Sequence, residues 1–169
     1  EGQEFYKLEQ LILQAVVRYG EKVMCMVNDA QGNEVPMTVI EYIMNDLQTD
    51  GLAFHNPLHR QILAEAAAPD ISKLSVNLIN VRYQLSKYHS KLQKIVTDEE
   101  RLYELVPLLM INFKYAIVTE ELKHMLTALQ DPALAQDNEK CNALMKRYTD
   151  LRDVQNLMAK RLGDRVVLR

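Results

Sequence analysis

At 169 residues the chain can form one domain, or a small domain with an appendage. Five Gly, five Pro and three Phe, against abundant Leu, Ala, Met, Glu, Gln and Lys, favour helices and argue against a large all-β fold. A net charge of −3 is wrong for a protein that wraps DNA, although it is compatible with a local basic patch.

The first predicted helix covers residues 4–19, with Leu8, Leu11, Ile12, Ala15 and Val16 on one side and Gly20 as its stop. Val23–Val27 and Glu34-Val35 flank the turn-forming stretch Asn28–Asn33, which reads as a short β-hairpin near 23–36 or as an extended loop. Thr38 with Glu41 three residues on is a capping-box pattern, so a helix should run from Val39 to about Gln48, burying Val39, Ile40, Ile43, Met44 and Leu47. Asp50-Gly51 ends it. Asn56 then caps a helix with Pro57 in its first turn, where a missing N–H costs nothing, and Leu58, Ile62 and Leu63 should face inward. A further helix is expected over about 70–80, followed by a connector over 81–96 that leads to the cap Thr97-Asp98.

Residues 98–162 should then form two long amphipathic helices folded back on one another. Leu102, Leu105, Leu109, Phe113 and Ile117 begin the first apolar strip, and Val118, Leu122, Met125 and Leu129 carry it on. Five residues separate Ile117 from Leu122, bridged only by Val118, so the strip should move sideways midway. Pro107 should kink or restart this helix. At about 1.5 Å per residue, 107–130 makes a rod of roughly 35 Å. Asp131-Pro132 breaks it, and Leu144, Tyr148, Leu151, Val154, Met158 and Leu162 form the second strip, with Gly163 as a stop. The expected class is therefore all-α: a small multi-helix subdomain over 1–96, and a long kinked helix with a C-terminal helical hairpin over 97–169. Two helices touching along one strip bury too little to offset easily the roughly 1–2 kcal/mol per residue of backbone ordering, so the hairpin should be mobile alone and gain order when docked.

Few residues suggest chemistry. Glu121 and His124 form an E-x-x-H pair with Glu120 beside it, but the helical di-iron arrangement needs a second copy and two more Glu, and none follows. A solvated helix face is the preferred reading. His55 and His59 flank Pro57 without Cys or carboxylate company, which favours a helix-start surface over zinc. Cys25 and Cys141 lack metal-ligand spacing and read as reduced, partly buried thiols of a cytoplasmic protein. No phosphate-cradling glycine loop or nucleophile elbow is present, so an enzyme is not expected. No apolar run approaches the roughly 18 residues of a spanning helix and no signal peptide is visible, so no membrane partner is expected. The opening Glu1-Gly2-Gln3, without Met, reads as the start of a piece of a longer protein.

Two patches could bind a macromolecule. Arg82, Tyr83, Lys87, Tyr88, Lys91 and Lys94 interleave cations with stackable rings, the pattern of a single-stranded nucleic-acid contact. The preferred account is a connector anchored by Tyr with its Lys in water; steep salt dependence of single-stranded DNA binding would favour the other. Arg147, Arg152, Lys160, Arg161 and Arg165, on or after the last helix, either steer an acidic protein surface or simply solvate the outer face.

Three stretches, Tyr83-Gln84-Leu85-Ser86-Lys87-Tyr88-His89, Glu100-Arg101-Leu102-Tyr103-Glu104-Leu105-Val106-Pro107 and Ala159-Lys160-Arg161-Leu162-Gly163-Asp164-Arg165, occur in an order that resembles the C-terminal helicase-binding domain of bacterial DNA primase (DnaG-type), above all its Bacteroidetes version. Phe54-His55-Asn56-Pro57-Leu58 with Ile62-Leu63, and Pro69-Asp70-Ile71-Ser72-Lys73-Leu74, fit the same family, so the resemblance spans nearly the whole chain. It implies a helical subdomain and hairpin that dock on the N-terminal domains of the hexameric replicative helicase (DnaB-type), recruiting primase to the fork and modulating the helicase. It also implies that RNA-primer synthesis, with its zinc and magnesium, belongs to other domains, leaving no cofactor here. By position in that hairpin, the helicase contacts would be Arg152, Gln155, Asn156, Ala159, Lys160, Arg165 and Val166, taken as residues outside the internal strip. The helicase's own N-terminal domain has a similar fold, and a chain of that kind would assemble into rings. One departure stands out. Ala66-Ala67-Ala68 joins Pro69 directly where the family has a longer connection, through a shortened connector or a stretch missing from the sequence.

Overall fold

Helix α1 (Gln3–Tyr19) carries Ile12, Leu13, Ala15 and Val16 into a shared core and stops at Gly20. The structure, a computed structural model, describes residues 3–68 and 101–163. The predicted helix over 70–80, the 81–96 connector, the Thr97-Asp98 cap, the Ala68–Pro69 junction and the tail from Asp164 lie outside the described residues. Gly20 ends α1 through close approach: a Cβ there would overlap the Val16 carbonyl, which accepts the Gly20 N–H at 2.6 Å. The Gly20 and Lys22 carbonyls accept from Ile40 and Val39 N–H, both at 3.0 Å, which joins the end of α1 to the start of the next helix.

Strands β1 (Val23–Asn28) and β2 (Glu34–Thr38) pair antiparallel, so the open choice at 23–36 resolves as a hairpin. Its turn is held by Asp29, whose Oδ1 accepts from the Asn33 and Gln31 N–H groups at 2.8 and 2.9 Å, and by Gly32 at φ 84°, a conformation glycine adopts without cost. These bonds, the Asn33 N–H first among them, hold the Asp29 carboxyl below its ordinary range. The pairing slips by one residue between Val23 and Cys25, and Met24, the residue left over, turns into the core.

The capping box at Thr38 forms in full, with Thr38 N–H donating to Glu41 Oε2 at 2.8 Å and Glu41 N–H to Thr38 Oγ1 at 3.4 Å. Helix α2 (Val39–Thr49) follows, buries Val39, Ile43 and Leu47, and ends ahead of Gly51 at φ 63°. Helix α3 (Pro57–Ala67) opens on Asn56, whose Oδ1 accepts from the Leu58 and His59 N–H groups at 2.9 and 3.2 Å. Its inward side departs from expectation. Leu63 is buried, but Leu58 is half exposed, and the other buried residue of α3 is His59.

Helix α4 (Leu102–Leu129) runs unbroken through Pro107, so the expected restart does not occur. Pro107 has no N–H to donate to the Tyr103 carbonyl, which belongs to an exposed residue near the start of the described helix, where water can satisfy it. The short helix α5 (Pro132–Ala135) is capped by Asp131, and α6 (Asn138–Gly163) completes the predicted hairpin. The chain divides into two compact units within α4, between Met110 and Ile111. Leu102, Val106 and Met110 are buried in the first unit. In the second, Val118, Leu122 and Met125 are buried on another side of the helix, which is the sideways shift the spacing called for. Glu104 and Lys114 interrupt the apolar run, yet α4 is long and apolar enough to pass for a membrane span by composition, with mean hydropathy 1.3 over an 18-residue window of which 33% is buried inside the protein. The sequence-based exclusion was therefore too strict; a core helix has the same composition. Helices dominate, and the fold class is all-α with one small β-hairpin.

Candidate functional site

Two features stand out, one in each unit. In the first, Glu9 occupies the apolar stripe of α1, three residues before Ile12 and seven before Val16, and is fully buried. Its Oε1 accepts from the His55 N–H in a short bond and faces His55 Nδ1 at 3.3 Å. Oε2 accepts from the Asn56 N–H at 3.3 Å and from His59 Nδ1 at 2.7 Å. Rings enclose the group: Phe5 stacks on His55 at 4.3 Å, and Tyr6 and Phe54 lie against His59. His59, expected on a helix-start surface, is only 4% exposed because this carboxylate receives it; His55 stays half exposed. Both carboxylate oxygens and both Nδ1 atoms are thus spent on one another and on the backbone. The arrangement ties α1 to the 54–56 turn and the first turn of α3, and among the described residues no cluster of three His, Cys, Asp or Glu is arranged to hold a metal ion.

In the second unit, α6 has no buried residue. Cys141, Leu144, Tyr148, Leu151, Gln155, Met158 and Leu162 are each half-buried, alternating by three and four residues as in a coiled-coil seam. This corrects the predicted strip at one position. Val154 is exposed, and Gln155 takes the seam position, its Nε2 donating to Thr119 Oγ1 on α4 at 3.0 Å. Gln155 is therefore used inside the hairpin, contrary to its expected place among outward partner contacts. Arg152, Asn156, Ala159 and Lys160 are exposed, whereas Arg165 and Val166 lie outside the described residues, as do Arg82, Lys87, Tyr88, Lys91 and Lys94.

The E-x-x-H pair separates into two ordinary surface contacts. Glu121 Oε1 accepts from Arg147 Nη2 at 2.7 Å and clips α6 to α4, while His124 turns to Glu120 at 3.5 Å. Other hairpin cations are likewise paired, Lys123 with Glu120 and Lys140 with Asp137. Arg152, Lys160 and Arg161 have no ion-pair partner among the described residues. Beside them, Val154 is 41% and Leu157 65% exposed. Sequence periodicity alone missed these two: Val154 was assigned inward, and Leu157 was not singled out.

The family described as Domain of unknown function (DUF8430) matches residues 1–69 and 67–166. The chain belongs to this family. No curated protein and no solved structure matches it. The two matched stretches overlap at residues 67–69, at the end of α3.

Proposed function

We propose that this chain is a protein-docking module, the helicase-binding domain of a DNA primase, which brings primase to the replication fork and modulates the helicase. One observation carries the docking reading. A helix of 26 residues, α6, lacks any buried side chain while exposing Met145, Val154 and Leu157. A helix that contributes so little to its own core is held for another purpose, and exposed apolar groups beside unpaired cations suit a protein partner. The choice of partner, the N-terminal domains of the hexameric replicative helicase, is supported by the ordered motifs of the primase resemblance. Catalysis, zinc and magnesium belong on this reading to other domains of the same enzyme, in the cytoplasm.

Pull-down with the cognate helicase tests it. The full chain is expected to retain the helicase, and a chain ending after Leu151 to lose it, with circular dichroism confirming that the remaining helices persist. Undiminished capture by the shortened chain would refute the assignment to the end of α6.

A further inference from the structure

The exposed residues of α6 fall on two flanks separated by the seam. Successive residues advance by about 100° around a helix, which places Val154, Leu157 and Arg161 together on one flank. Arg152, Asn156 and Ala159 centre roughly 170° away, on the other, and Lys160 lies between the two on the outermost side. We infer that the Val154–Leu157 flank is the docking face, and that it takes an apolar groove with an acidic rim on the partner protein.

This inference rests on the docking reading above and names the flank and the chemistry of its partner. Leu157 and Val154 are one turn apart and both exposed, outside the half-buried seam, so their exposed apolar area is available as a pair. Charge selects the occupant. From Val154 to Gly163 the helix carries Lys160 and Arg161 and no acidic residue, and neither cation is neutralised by a described neighbour. The helix as a whole carries Lys140, Lys146, Arg147, Arg152, Lys160 and Arg161 against Glu139, Asp150 and Asp153, in a chain whose net charge is −3. Asp150 and Asp153 lie on the N-terminal side of these anchors and the unpaired Lys160 and Arg161 on the C-terminal side, so the acidic rim of the partner faces the last turns of α6, where the charges speed encounter.

Affinity for the helicase N-terminal domains, measured by calorimetric titration of the whole chain, decides the matter. The double variant Val154→Ser/Leu157→Ser is expected to bind at least about tenfold more weakly, with the thermal midpoint of the free chain unchanged. Arg161→Glu should weaken binding and flatten its salt dependence, and Arg152→Ser/Asn156→Ser should change affinity by less than about twofold. Wild-type affinity in Val154→Ser/Leu157→Ser overturns the inference and leaves the docking reading standing. Absence of binding by the wild type removes the reading and the inference together. A markedly lower midpoint for the free double variant would show that the chain covers this flank itself. A wild-type dimer that the double variant dissolves would show a second copy there. Either result overturns the inference.

Discussion

Replacing Glu9 with Ala is expected to destabilise the chain by about 3–5 kcal/mol, the effect of breaking a buried, fully bonded polar group by removing one side. The carboxylate accepts from the part-buried His55 and Asn56 N–H groups and from the buried His59 Nδ1, which has the least access to a replacement water. Each orphaned donor costs about 1–3 kcal/mol, and the space vacated beneath Tyr6 and Phe54 adds a cavity term. At about 4–8 °C per kcal/mol for a small domain, the thermal midpoint should fall by at least about 12 °C. Glu9→Gln keeps the volume and one acceptor and should cost less, about 1–3 kcal/mol. Glu9→Leu with His59→Leu removes the carboxylate and one donor together, yet leaves two backbone N–H groups unmet, so it should remain less stable than wild type. Melting curves followed by circular dichroism read all three; a midpoint for Glu9→Ala within a few degrees of wild type would show that the group is dispensable.

The second large effect separates the two long helices. Phe113 on α4 is fully buried, and Phe113→Ala should cost about 3–5 kcal/mol, the range for removing a core aromatic ring. Leu151 on α6 occupies the seam but remains half-buried, so water already solvates part of it and the site can relax. Leu151→Ala should cost about 1 kcal/mol. Denaturant midpoints of the two variants give the comparison. Equal losses would mean that α6 is as much a core helix as α4, contrary to the view that it lies over the unit with its outer side uncommitted.

The elements that local chemistry specifies were legible in the sequence. Thr38 and Glu41 announce their capping box, Asn56-Pro57 announces a helix start, and Gly32 and Gly51 stand where the backbone needs a positive φ. The failures have physical causes. A stripe of apolar residues was read at Leu8, Leu11 and Ile12, while Glu9 within the same face was passed over, although a carboxylate on a buried stripe demands a partner. That demand points to His59, in the first turn of α3, which the sequence otherwise places on the surface. On α6 both Val154 and Gln155 continue a three-four spacing from Leu151 to Met158; hydrophobicity favoured Val154, and the Thr119 hydroxyl on the facing helix favoured Gln155. Along α4 apolar residues surround the helix, so periodicity could not choose Val106 and Met110 over Leu105 and Leu109. The exposed flank of Val154 and Leu157 becomes visible only once the seam is known.

The central claim is that α6 is a lightly held helix whose order is completed by a partner. Amide hydrogen exchange of the chain, alone and with the helicase N-terminal domains, tests it most directly. In the free chain α6 should exchange faster than the first turns of α4, and addition of the helicase should slow exchange most over 154–161. Uniform protection across 107–162 in the free chain, with no change on adding the helicase, would contradict the account.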